Sequence, residues 1–416
     1  MCIRDSLNWG VEKVGATNPY KVAVDQGSLN QLDAIWRFVV YNLIPPKDPK
    51  TATWDELPLS RLFPGSKKAI IRSSWSDEAI IIGFRNLERK AQWHSPADAN
   101  TFYVYRKGLL SGNTGERDAG ASDHTGNWQC STIAHNNLLI FDPDNITFPT
   151  KSDVDQGGVH SNGGGTETQS SMVLGMPYRR AFLHLPECQQ QGGIPIFEAT
   201  PEYTYLLGSA AEAYRSRVDE FYRSLVFVPK GGDKGYLLVL DRVEAKKPEL
   251  IKKWVMHFVS KPQVNGDKVL TEVPEHIETF DGDFIYATNV KNTSGLYVKT
   301  LLPIEHLIRR VGSEAYGGYE FWRDDLQRNV GVRAGHLEKA LATMGGSEVS
   351  DINEVGFWRI ELMPKTQQKR DLFFNVIYIS DTNETMAPVQ RIEEGSRYGA
   401  LIQDKEMTIK VLFNKQ

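Results

Sequence analysis

The sequence predicts a mainly β protein built as an antiparallel two-layer sandwich, with one helical piece near the N-terminus. Three observations carry this. Short runs rich in β-branched and aromatic residues, bounded by polar or glycine-containing turns, recur from residue 69 onward. Neither βαβ alternation nor a repeat of fixed period interrupts them. Helical apolar spacing is clear only before residue 42, and there it covers a single segment.

In chain order, Met1-Cys2-Ile3-Arg4-Asp5-Ser6 reads as a translated adaptor scar, and residues 1–6 are excluded from fold reasoning. Residues 28–41 form an amphipathic helix: Leu29, Leu32, Ile35, Trp36, Val39 and Val40 share one face behind Ser28 as N-cap, and Pro45-Pro46 stop it. A lone amphipathic helix needs partners, so it is expected to be the remnant of a larger helical domain. A proline-punctuated connector over 42–68 leads into the strands. These are expected at 69–71, 78–84, 102–105, 138–141, 225–228, 236–240, 254–259, 357–362 and 372–379, with one helical interruption over 210–221. Gly157-Gly158 and Gly163-Gly164-Gly165 mark a long loop that carries His160.

Composition narrows the function classes. A net charge of -4 gives no general field for nucleic acid or acidic membranes. No apolar run approaches the roughly 18 residues of a membrane span. Cys2, Cys130 and Cys188 form neither a disulfide framework nor a metal spacing. The chemistry gathers instead in two blocks. Trp93-His94-Ser95-Pro96-Ala97-Asp98-Ala99-Asn100 precedes one strand, and Ser131-Thr132-Ile133-Ala134-His135-Asn136 precedes another, so each imidazole is expected at a strand mouth.

Together with Ile71-Arg72-Ser73-Ser74-Trp75, residues 197–205, Lys252-Lys253-Trp254-Val255-Met256-His257 and Trp358-Arg359-Ile360-Glu361, these blocks resemble the heparinase II/III-like polysaccharide lyases from about residue 28 to near the C-terminus. The resemblance implies an N-terminal (α/α) toroid, then the two-layer sandwich, then a smaller C-terminal β-sheet domain. On that plan residues 7–67 are the toroid's last remnant and connector, 68–335 the sandwich and 336–416 the C-terminal sheet. Most of the toroid is absent from this chain.

The implied reaction is β-elimination on a uronic-acid-containing anionic polysaccharide. The uronate carboxylate must be neutralised, a base must take the proton from the adjacent carbon, and an acid must protonate the departing oxygen. His94 matches the family's base, while the remaining groups would come from the toroid. Arg72, Trp75, Trp93 and Asn100 are the candidate substrate-binding residues. Arg85, Arg89, Lys90, Arg106 and Lys107 add positive charge nearby, which an ordinary solvated face would also do.

No cofactor follows with certainty. A divalent metal would have to use His135 and Asn113, because the resemblance places Pro96 and Asn113 where relatives carry ligands. One imidazole with one amide is a poor zinc set, even with Asp118, Asp123 or His124 nearby. His135-Asn136 has the rival reading of a strand cap, and His257 that of a core residue. The partner implied is the anionic polysaccharide, with no nucleic acid and no membrane span; the oligomeric state is open. By resemblance the protein belongs in the periplasm or outside the cell. The alternative to a lyase portion is a non-catalytic carbohydrate-binding or scaffolding sandwich.

Overall fold

Alternation of burial along single strands builds this molecule. In the strand Lys234–Ala245, Leu237, Val239 and Val243 enter one core while Tyr236, Leu238 and Leu240 enter another. A sheet whose strands are apolar on both faces must be covered on both. The computed structural model describes residues 57–87, 96–115, 123–129, 131–142, 192–214, 217–271, 277–313, 319–331 and 358–415. The chain divides into two compact units, Met1–Leu57 and Pro58–Gln416. The expected helix over 28–41 and the glycine loop with His160 lie outside the described residues.

A five-stranded meander comes first, in the order β1 (Ser60–Phe63), β2 (Lys68–Arg72), β3 (Ile81–Arg85), β4 (Thr101–Tyr105) and β5 (Leu109–Ser111). A six-stranded sheet runs β13 (Asp267–Val269), β14 (Ile277–Asp281), β17 (His306–Gly312), β20 (Trp358–Pro364), β11 (Ile251–Phe258) and β6 (Leu138–Phe141). The eight-stranded sheet runs β12 (Gln263–Val264), β15 (Phe284–Thr288), β16 (Ser294–Leu302), β21 (Arg370–Asp381), β10 (Lys234–Ala245), β9 (Val218–Lys230), β8 (Thr204–Ser209) and β7 (Gly193–Ala199). A hairpin of β18 (Trp322–Arg323) and β19 (Arg328–Asn329), and a three-stranded sheet of β22 (Val389–Glu394), β23 (Arg397–Gln403) and β24 (Thr408–Asn414), complete the described strands. All pairings described are antiparallel, as the alternating patterns require.

The main core lies between the inner face of the eight-stranded sheet and the five- and six-stranded sheets, and includes Phe84, Phe102, Phe221, Trp254, Ile308 and Phe373. On the outer face of the eight-stranded sheet, Tyr236, Leu238, Phe374, Val376 and Tyr378 pack against Tyr398, Ala400, Ile402 and Ile409 of the three-stranded sheet.

Three expectations need correction. The separate C-terminal sheet does not begin at residue 336: β20 and β21 are interior strands of the two large sheets, and the independent sheet starts at Val389. The unit also begins before residue 68, since β1 pairs with β2. The helix expected over 210–221 is a single turn, α1 (Ala211–Tyr214), because from Val218 the burial period becomes two, with Phe221, Leu225 and Phe227 facing inward.

Candidate functional site

The two histidine-bearing blocks meet, and polar side chains join them. Thr132 Oγ1 donates to the Ala97 carbonyl at 2.7 Å, Asn137 Nδ2 to that of Ala99 at 2.7 Å and Asn136 Nδ2 to that of Phe102 at 2.8 Å. Arg223 closes the junction. Its Nη1 donates to the carbonyls of Asn100 at 2.5 Å and Asn136 at 2.9 Å, so one guanidinium holds both blocks.

Strand register explains how an arginine comes to be there. Arg223 of β9 and Asp241 of β10 are direct cross-strand partners on the inward phase of their strands. Both are fully buried, and the carboxylate accepts from Nε at 2.7 Å and Nη2 at 2.6 Å. A bidentate pair of this kind fixes the plane of the guanidinium and aims Nη1 at the two carbonyls. Burial pushes the Asp241 carboxyl up, with Arg223 opposing.

Asn100 stands at the centre of the junction with φ of 66°, a left-handed conformation that asparagine tolerates. Its Oδ1 accepts from Asn86 Nδ2 at 2.7 Å, and its backbone is held by Arg223. A Cβ on Gly208 would come within 2.1 Å of that Oδ1, so a glycine is required opposite. With 0% of its surface exposed, Asn100 organises the loop, and the direct substrate contact expected of it is withdrawn.

Beyond the junction lies a second buried polar group on the outer face of the six-stranded sheet. His135 caps the 3₁₀ turn Thr132–Ala134, its N–H donating to the Thr132 carbonyl at 3.1 Å. The His257 N–H donates to Asn136 Oδ1 at 2.8 Å. Burial holds the His257 imidazole well below its usual range, Arg359 and His135 push the same way, and Glu361 opposes them. Trp128 covers this group, edge-on to His257 at 6.5 Å and under the Arg359 guanidinium at 5.5 Å.

Glu361 accepts from Arg359 at 2.8 Å, and its other oxygen lies 3.2 Å from Lys253 and 3.1 Å from Arg309. Burial alone would raise its carboxyl, but Lys253, Arg309 and Arg359 outweigh it and hold the group at about 2. These are closed, internally compensated charges. Their arrangement is a scaffold beneath the histidine blocks.

The other candidates are dispersed. Arg72 is half-buried, stacks over Trp75 at 4.7 Å and donates from Nε to the Ser74 carbonyl at 3.1 Å. It pairs with Ile81, which pairs with Tyr105, whereas Asn100 precedes Thr101, the partner of Arg85. Arg72 and Asn100 therefore lie at opposite ends of the meander, roughly 17 Å apart along the strands at about 3.3 Å per residue. Arg72 therefore does not line the junction that Asn100 organises.

The expected basic surface is largely spent as well. Arg85 pairs with Asp98 at 2.5 Å, the fully buried Arg106 with Asp381 at 2.7 Å, and Lys107 with Glu78 at 2.9 Å. His94 and Trp93 lie outside the described residues, as do Arg89, Lys90 and Asp118.

The described residues expected near a metal differ in their surroundings. His135 is buried while Asn113 is exposed, and Pro96 offers no ligand atom. Asp123 is engaged by Arg328 at 2.6 Å, and His124 donates from Nδ1 to the Val330 carbonyl at 2.6 Å. Among the described residues no group of three or more His, Cys, Asp or Glu side chains is placed to hold an ion.

Sequence reading missed Arg223 and Asp241. The trace was there: each is a charged residue on the apolar phase of an alternating strand, Arg223 between Phe221 and Leu225 and Asp241 between Val239 and Val243.

No protein-family model matches the sequence, and no curated protein matches it either. Solved structures do resemble it. Heparan sulfate lyase HepC from Pedobacter heparinus aligns with a TM-score of 0.51 at 12% identity, over 86% of this chain and 42% of its own. A mutant of that lyase aligns with a TM-score of 0.50 at 12% identity, over 86% of this chain and 43% of its own. The chain thus spans less than half the length of these structures, and the likeness is one of fold.

Proposed function

We propose that this chain is the β-sandwich portion of a polysaccharide lyase that cleaves a uronate-containing anionic polymer by β-elimination. The observation that carries the reading is the junction of the two histidine-bearing blocks, clamped by Arg223 at the base of the segment that carries His94. A catalytic loop needs a rigid root, because proton abstraction tolerates little misplacement. The fold likeness to heparan sulfate lyases supports the same reading.

In this account neutral His94 takes the proton from the carbon beside the uronate carboxylate. The electrons of that C–H bond form the carbon–carbon double bond, the bond to the glycosidic oxygen breaks, and an acid from the helical region supplies that oxygen with a proton. Arg72 and Trp75, half-exposed and stacked, form a separate contact for polymer at the far end of the meander: ring against pyranose, guanidinium against carboxylate or sulfate. On this reading the protein works where it would meet such a polymer, in the periplasm or outside the cell. The test is to incubate the longer protein, sandwich with its helical region, with a panel of uronate polymers and follow the ultraviolet absorbance of unsaturated uronate. Absorbance that stays flat across the panel removes the lyase reading and leaves a glycan-binding sandwich.

A further inference from the structure

The outer face of the eight-stranded sheet is only partly covered. Where the three-stranded sheet diverges from it, a groove of about 940 Å³ opens between β8, β9 and β10 on one side and β24 on the other. That size lies within the range of about 300–1,000 Å³ typical of ligand sites. The outward phase of the strands lines it with rings: Tyr205 and Tyr222 are half-exposed there, and Tyr398 and Phe413 face them from the C-terminal sheet.

Arg242 lies among these rings, stacked on Tyr222 at 4.9 Å and within electrostatic reach of Tyr398. Its nearest carboxylate oxygen is Glu220 Oε2, 3.4 Å from Nε, and Nε makes no hydrogen bond. The cations of the histidine junction are held by several partners each, whereas Arg242 keeps one ion pair, to Glu220, and makes no side-chain hydrogen bond, its Nη groups included. Among the described residues the hydroxyls of Tyr205, Tyr222 and Tyr398 also have no hydrogen-bond partner.

We propose that this groove is a second, non-catalytic binding site for an acidic oligosaccharide. Tyrosine rings offer flat apolar faces to the C–H surfaces of pyranoses and hydroxyls to their rims, and a stacked guanidinium with free donors matches a sugar carboxylate or sulfate. Glu198 and Glu202 line the groove at the β7–β8 turn, so the acidic group belongs at the Arg242 end and neutral hydroxyls at the other. The choice of an acidic sugar rests on the proposed function. The role is to hold polymer on a face distinct from the histidine junction, which would raise local substrate concentration.

The 416-residue chain is titrated calorimetrically with tetrasaccharides of alginate and heparan sulfate, with cellotetraose as the uncharged control. At least one acidic tetrasaccharide should bind about tenfold more tightly than cellotetraose. Arg242→Gln should weaken that binding about tenfold and Tyr222→Ala should remove it, both with unaltered melting temperatures. Absence of binding, binding indifferent to both groove variants, or chain self-association that Tyr222→Ala abolishes would each overturn the proposal. Cleavage is scored separately by unsaturated uronate: groove binding without cleavage leaves this site standing, and cleavage without groove binding removes this site alone.

Discussion

Arg223 is the residue on which the two blocks depend. Removing it strands Asp241 in the core without a counter-charge, and breaking a buried pair from one side costs about 3–5 kcal/mol. Arg223→Ala is therefore expected to lower the denaturation midpoint sharply. Arg223→Met combined with Asp241→Leu should recover most of that loss, because two apolar side chains of similar volume remove the desolvation penalty. The clamp on Asn100 and Asn136 stays lost in the double variant. It should be stable but show faster hydrogen exchange in residues 96–102 and 131–137; protection equal to that of the native protein would mean that the guanidinium is dispensable there.

Glu361 makes the corresponding argument for pH. Its folded carboxyl is held at about 2 against an ordinary 4.5, so the charged form is favoured by folding. That stabilisation is complete above about pH 4.5 and is lost as pH falls toward 2. His257 adds a milder acid sensitivity, since its folded value lies well below 6.5 and the unfolded chain takes up the proton first. Stability measured by urea should fall in two stages on acidification, and Glu361→Gln should flatten the lower one. An unchanged acid limb in that variant would assign the loss elsewhere.

At the scale of elements, most of the central strands were legible as short, nearly continuous apolar runs such as 236–240 and 372–379, which suit strands buried on both faces. Edge and short strands such as β12, β13 and β18 carry too few residues to show a period. The helix expected over 210–221 failed for a physical reason: Ala210, Ala213, Tyr214, Val218 and Phe221 fit a helical stripe as readily as a turn followed by an inward strand, and pairing of β9 with β8 and β10 decides it. The candidate site was legible in part. Both blocks were readable as polar stretches that precede a strand, but the burial of Asn100 was not, since it depends on Gly208 and Arg223 from more than a hundred residues away.

The placement of β21 in the eight-stranded sheet yields an element-scale prediction. Deleting residues 388–416 should uncover Tyr236, Leu238, Phe374, Val376 and Tyr378 without cutting any strand of the two large sheets. A patch of that kind invites association. The shortened chain is expected to keep its far-ultraviolet β signature while binding a hydrophobic dye and aggregating at micromolar concentration. A soluble, dye-silent fragment would show that the three-stranded sheet is not needed as a cover.

For the whole molecule, the layered β architecture is a platform: the eight-stranded sheet is covered on its inner face and in part on its outer face, and the inward pair Arg223–Asp241 ties its interior to the buried loop junction at one end of the meander. The proposed lyase chemistry uses that platform to root His94, with the acid supplied from outside the described residues. The most direct test is to compare wild-type and His94→Ala forms of the longer protein on the polymer it cleaves best, with unsaturated uronate as the readout and melting temperature as the check on folding. The account predicts a loss of turnover of about 10²-fold or more at unchanged melting temperature, the effect typical of removing a general base from a loop that contributes little packing. Turnover within about twofold of wild type, well short of that 10²-fold loss, would contradict it.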